Sequence, residues 1–264
     1  MQIQSYSSSY YNQSIAGKQM AMLRIATASK LNSAADNAAN LAISENLKSQ
    51  GTGLDQASRN IQDSTSLLDT AEGSMGNSTD VLQRMRELTV QAGNGTLTDE
   101  DRSCIQQEMD QLKSQLDSNA KNTQFNGIYT NNGTLSNFTT QIGANSGENM
   151  SISIGNVSSD ALGISTNVAT QSSASDSLKS IDGAINRLSS SRSKIGAITN
   201  SLDYTMDNAN QTSLNYQSAN SNYTDSDIAQ QISLFTQSNT KLYSSIAALS
   251  NSMQQQQSSI SLLV

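Results

Sequence analysis

The stretch LDQASRNIQDSTSLLDTAEGSMGNSTDVLQRMRELTV, residues 54–90, decides the fold. Leu54, Ala57, Ile61, Ser64, Leu68, Ala71, Met75, Ser78, Leu82, Met85 and Thr89 follow one another in steps of three and four. That spacing puts them on one face of a long helix and suits a left-handed supercoil with partner helices. A second series of the same kind closes the chain: Ile228, Ile232, Phe235, Asn239, Leu242, Ile246, Leu249, Met253, Gln256, Ile260 and Leu263. The chain contains no proline to interrupt either helix. Stripes this long are covered by each other or by copies of the same chain, which points to an assembly protein.

Composition narrows the function. Of 264 residues, 35% are hydrophobic, with 3 Phe, 8 Tyr and no Trp. Thin cores between paired helices suit this better than a thick globular core. The net charge of −7 argues against binding a phosphate backbone. No run nears the roughly 18 apolar residues of a membrane helix, so no membrane insertion is expected. Residues 1–14 lack the pattern of a cleavable secretory signal, so an exported chain is expected to use another route. Cys104 is the sole cysteine, which rules out an intrachain disulfide. Without histidine, the usual zinc sites, Ser–His nucleophiles and His bases are missing. No paired-carboxylate, phosphate-loop or dinucleotide pattern replaces them. The expectation is a non-enzyme without cofactor or metal.

Along the chain, residues 3–31 are weakly helical and the pattern sharpens through Leu31, Ala35, Ala38 and Leu41. Gly51 and Gly53 read as a bend or frayed point. Gly93-Asn94-Gly95 ends the long helix, and Thr98 restarts a shorter one with Asp101 as the capping-box acid. Ile105, Met109, Leu112 and Leu116 stripe that helix, which the short turn makes antiparallel to its predecessor. Residues 122–162 change texture. Asn and Gly punctuate short alternating runs such as Ser151-Ile152-Ser153-Ile154, which predict one or two hairpins. Residues 164–176 read as a surface connection, helical periodicity resumes at Leu178, and a polar stretch around 218–227 separates the last two helices. The fold expected is mainly α, a long antiparallel coiled-coil rod with a small β-hairpin region. Its parts are a terminal-helix segment 1–42, a rod part with hairpins 43–176, a second rod part 177–222 and a terminal-helix segment 223–264.

Several segments also resemble bacterial flagellins. Residues 24–39 (RIATASKLNSAADNAA) resemble that family's N-terminal signature, and residues 54–60 (LDQASRN) its next block. Residues 82–92 (LQRMRELTVQA) are the most specific segment. Residues 123–127 (TQFNG) and 141–147 (QIGANSG) fit its hairpin region, and residues 187–193 (RLSSSRS) with Ser261-Leu262-Leu263 its C-terminal half. The resemblance runs through nearly the whole chain in the family's order. The variable outer domain, normally placed between hairpins and C-terminal helices, is reduced here to the connection at 164–176. Ala26-Thr27-Ala28 replaces the usual Ser-Ser-Gly, and Cys104 is unusual.

The resemblance implies a structural subunit that polymerises into the flagellar filament for motility. Leu23, Leu31, Ile232, Phe235, Leu242, Ile246, Leu249, Ile260 and Leu263 would serve filament assembly, with segments 1–40 and 225–264 mobile in the free monomer. It implies secretion through the flagellar type III export apparatus, an export chaperone at the C-terminal helices, and contacts with filament cap and hook-junction proteins. The family is also bound by vertebrate Toll-like receptor 5. The matching surface here is Gln83, Arg84, Arg86, Glu87, Leu88 and Glu108, with Leu88 read as an exposed apolar residue beside Arg84. The same face also reads as a solvated or subunit-contacting surface. Cys104 reads as a small, partly buried helix residue, and the Ser and Thr of 130–176 mostly as solvated positions open to O-linked sugars. Asp36, Glu45 and Arg59 read as structural polar contacts. The alternative function is a hook–filament junction protein or a non-polymerising accessory flagellin.

Overall fold

In a computed structural model that describes residues 2–261, with side chains from 9 to 258, five helices and four short strands follow in order. They are α1 (Gln2–Thr27), α2 (Ala34–Ala92), α3 (Asp99–Asn122), β1 (Gln124–Phe125), β2 (Ile128–Tyr129), β3 (Phe138–Gln141), β4 (Asn149–Ile152), α4 (Gln171–Thr224) and α5 (Ile228–Ser261). The fold is mainly α, antiparallel, with a small hairpin region. Residues 50–214 form one compact unit, and residues 1–49 with 215–264 form another.

The larger unit is built on the α2 stripe. Ala57, Ile61, Ser64, Leu68, Ala71, Met75, Ser78, Leu82, Met85 and Thr89 are all buried. A second row lies beside it: Leu67, Val81 and Leu88, spaced by multiples of seven, are buried too. α2 needs this wider apolar face because two helices cover it. Antiparallel α3 meets it through Arg84 and Glu108, Thr89 and Met109, and Ala92 and Arg102. Antiparallel α4 meets it through Arg86 and Asp182, Glu72 and Arg192, and Asp55 and Ser213. On α4, Ile181, Leu188, Ile195, Leu202 and Ala209 keep a seven-residue rhythm and are buried.

The restart at Thr98 is a capping box. Its hydroxyl accepts from the Asp101 N–H, and the Asp101 carboxylate accepts from the Thr98 N–H. Two antiparallel hairpins follow α3. The first closes through Asn126-Gly127, both at positive φ, the conformation a tight two-residue turn demands. The second pairs Phe138 with Ile152 and Gln141 with Asn149. The connection after it is no loose loop. Val157, Leu162, Ile164 and Val168 are buried, and the backbone is tied to α3 at Asp117 and Gln106.

Gly53 corrects the sequence reading. The helix runs unbroken through Gly51 and Gly53. A Cβ at Gly53 would lie 2.7 Å from the Ala144 Cβ, so the missing side chain makes room for the second hairpin's tip. That tip is held by Glu148, whose carboxylate accepts from the Asn145 backbone and side-chain amides, and by Gln50, which donates to the Asn145 side chain.

In the smaller unit, α1 and α5 lie antiparallel. Lys18 Nζ donates to Asn239 Oδ1 at 3.1 Å and sits 5.5 Å from the Phe235 ring centre. Gly17 approaches Ser238. The breaks that flank this pair bond to each other. Lys30 N–H donates to the Thr224 carbonyl and Ser226 N–H to that of Ala28. Asp36 closes the first break by accepting from the Asn32 and Ser33 N–H groups, with Arg24 3.6 Å away.

Candidate functional site

Two surfaces carry the residues singled out from the sequence. The first is the outer face of α2 and α3. Arg84 Nε and Nη2 both donate to Glu108 Oε1, at 3.0 and 2.8 Å, and Nη1 donates to Glu87 Oε2 at 3.3 Å. These bonds, Glu108 first, raise the Arg84 pKa further above its ordinary value. Gln83 and Arg86 are exposed as well, and Arg86 reaches across to Asp182 on α4. Four of the six sequence-derived positions, Gln83, Arg84, Arg86 and Glu87, are therefore exposed on α2, and Glu108 on α3 is half-buried beside Arg84.

Leu88 is not among them. It is 3% exposed and belongs to the hydrophobic core, in the second buried row of α2. Assigning one stripe to a helix with two neighbours put it on the wrong side. The exposed apolar residue of this segment is Val90. Cys104 also departs from expectation: it is exposed, one helical turn before Glu108.

The second surface is the α1–α5 pair. Its inward positions are mostly small or polar: Tyr11, Ser14, Lys18, Ala21 and Ile25 on α1, and Gln231, Phe235, Ser238, Leu242, Ser245 and Leu249 on α5. One flank is a groove of about 630 Å³ between Gln13, Gly17 and Tyr10 on one helix and Ser238, Lys241 and Ala248 on the other. Most of the apolar surface faces outward: Met22 and Leu23 on α1, and Ile228, Ile232, Ile246 and Met253 on α5. Of the assembly positions read from sequence, Leu23, Ile232 and Ile246 are exposed, while Phe235, Leu242 and Leu249 are half-buried in the seam. Leu31 lies in the break between α1 and α2 rather than on a helical stripe, because Ala28 at φ 53 has already ended α1. The Ile260 side chain and Leu263 lie outside the described residues.

Among the described residues no group of three or more His, Cys, Asp or Glu is placed to hold a metal, and no helix is long and apolar enough to cross a membrane. Long striped helices with unspent apolar surface define a structural protein that associates with its own kind. Residues 1–136 match the bacterial flagellin N-terminal helical region and residues 178–263 its C-terminal helical region, and the chain belongs to the flagellin family. It is 36% identical to a flagellin of Halalkalibacterium halodurans, over 93% of this chain and 91% of that one. It is 35% identical to a flagellin of Bacillus subtilis, over 92% and 91%. A flagellar filament core protein of Treponema phagedenis shares 34%, over 92% and 91%. The fold matches the crystal structure of a Bacillus cereus flagellin with TM-score 0.53 and 31% identity, over 57% of this chain and 88% of that one. A putative flagellar hook-associated protein from Vibrio parahaemolyticus matches with TM-score 0.61 over 72% and 100%, but at 18% identity it speaks for the fold alone. The chain is a structural subunit of the flagellar filament, and its self-association is that of the family.

Proposed function

We propose that the α1–α5 pair is the element through which subunits polymerise. The observation that carries this is the outward placement of Met22, Leu23, Ile228, Ile232, Ile246 and Met253, around a seam of small and polar residues. Covering such side chains gains roughly 25 cal/mol per Å², and in the filament a neighbouring subunit would cover them. The pair offers a groove on one flank and protruding side chains elsewhere. Unlike surfaces that join head to tail build an open helix wherever the rotation between subunits does not close into a ring. A double substitution Ile232→Asp and Ile246→Asp tests this. Elongation on filament seeds should stop while the helical signal of the monomer is kept; elongation at the unaltered rate refutes the reading. Before assembly the same row on α5 suits an export chaperone, which would keep it covered until secretion through the flagellar export apparatus. Cap and hook-junction proteins would meet the same helices at the filament's ends. A junction or accessory role would require a monomer that never elongates.

A second role, as a ligand of vertebrate Toll-like receptor 5, is supported by exposed Arg84 and Glu87 with half-buried Glu108, and by exposed Gln83 and Arg86 on the same segment of α2. An arginine held between two carboxyl side chains suits recognition by a polar receptor surface. Arg84→Asp should abolish binding to the receptor ectodomain; unchanged affinity removes this role.

A further inference from the structure

Of the chain's nine methionines, Met1 lies outside the described residues, Met150 and Met206 are partly buried against the core of the larger unit, and the other six are either fully buried or well exposed. Met75, Met85 and Met109 are fully buried in the larger unit. Met20, Met22 and Met253 are 49, 61 and 58% exposed, and all three lie on α1 or α5. Met253 continues the seven-residue row of Ile232 and Ile246, and Met20 lies one turn from Leu23, itself exposed. On the assembly reading of the α1–α5 pair, these thioethers stand within the surface that a neighbouring subunit would cover.

We propose that Met20 and Met22 on α1, and Met253 near the opposite end of the α1–α5 pair, are peroxide-sensitive modification positions that control whether a free subunit can join a filament. This rests on the assembly reading of the α1–α5 pair. Hydrogen peroxide is the oxidant. A sulfur lone pair attacks one peroxide oxygen, the S–O bond forms as the O–O bond breaks, and sulfur loses two electrons. The proton on the transferred oxygen passes to the departing hydroxide, so the products are the sulfoxide and water. A sulfoxide is polar and chiral where the thioether was apolar and flexible. Burying that oxygen against a neighbour's apolar side chains carries a desolvation cost that the thioether does not. Neighbours shield the sulfurs once a subunit has joined, so the modification acts on the subunit before assembly and spares the finished filament.

The test uses the full chain. Monomer and seeded filament are each treated with hydrogen peroxide, and sulfoxide is located by peptide mass spectrometry. Elongation on untreated seeds is followed by light scattering. In the monomer, oxidation at Met20, Met22 and Met253 should precede that at Met75, Met85 and Met109, and in the filament the three should be protected. Oxidised monomer should elongate roughly tenfold more slowly or worse. Reduction by methionine sulfoxide reductases should restore the rate, and the triple variant Met20→Leu, Met22→Leu, Met253→Leu should keep its rate through peroxide treatment. Oxidised monomer that elongates at the untreated rate overturns the proposal, as does a slowing that the reductases leave in place. If the triple variant fails to elongate before treatment, the reductase rescue alone decides. Untreated protein that does not elongate refutes the assembly reading itself, and this proposal with it.

Discussion

Three glycines on α2 should respond in opposite directions to the same substitution. Gly53, Gly73 and Gly76 all lie inside the helix, where alanine is favoured over glycine by about 1 kcal/mol. At Gly73 and Gly76 an added Cβ meets nothing within 4 Å, so each Ala variant should gain that full amount. At Gly53 the Cβ would come within 2.7 Å of the Ala144 Cβ and 3.2 Å of its Cα. The obstacle is not a flexible side chain but a hairpin tip fixed by Glu148, Gln141 and Gln50. Overpacking of this kind costs about 1–3 kcal/mol, which exceeds or cancels the propensity gain. Thermal denaturation followed by circular dichroism reads the result. A change of 1 kcal/mol moves the melting temperature by about 2–4 °C in a unit of this size. Gly73→Ala and Gly76→Ala should each raise the midpoint, and Gly53→Ala should leave it unchanged or lower it. If Gly53→Ala stabilises as much as the other two, the hairpin tip does not need the close approach and the packing argument fails.

The two α2 positions that sequence reading grouped together should separate. Leu88→Ala should cost about 2–5 kcal/mol of stability as a core cavity, whereas Arg84→Asp removes two exposed ion pairs and should cost far less; equal losses on denaturation would contradict the buried placement of Leu88. Thr98→Ala should destabilise by about 1 kcal/mol through loss of the cap on α3, and an unchanged unfolding midpoint would contradict the capping box. Acid should weaken the fold through three carboxylates. The backbone N–H groups of Asn32 and Ser33 hold Asp36 below its ordinary 3.8, the Thr98 hydroxyl and N–H do the same for Asp101, and the Asn145 amides hold Glu148 below 4.5. Because the folded values are depressed, their contribution is complete above the ordinary values and is lost as pH falls through the folded ones. Glu148→Gln should flatten the acid limb of the stability curve, and a limb that superimposes on the unaltered protein's would refute the role of that carboxylate.

Much of this architecture was legible in residues 54–90. An uninterrupted step of three and four, the Gly93-Asn94-Gly95 break and Thr98 with Asp101 are local signals, and local hydrogen bonding or burial sets each of them. The Asn126-Gly127 turn is legible for the same reason. What could not be read depends on neighbours distant in sequence. Leu88 is buried because α2 has two partners, and Gly53 is required because Ala144 arrives from 91 positions away. The terminal stripes were legible as helices but not as surfaces. Their heptad spacing left open whether they cover each other or meet copies of the chain; Ser14, Ser238 and Ser245 occupy much of the seam, while Ile232, Ile246 and Met253 remain outside it. The Arg84–Glu108 pair lay in the resemblance rather than in any local pattern, since 24 residues and a turn separate its members.

Negative-stain electron microscopy of the purified chain after ammonium sulfate addition, with and without filament seeds, tests the central claim most directly. Long, uniform filaments from the unaltered chain, and none from the Ile232→Asp, Ile246→Asp variant, are the predicted result. Monomers that persist under both conditions would contradict the account and move the chain to a junction or accessory role.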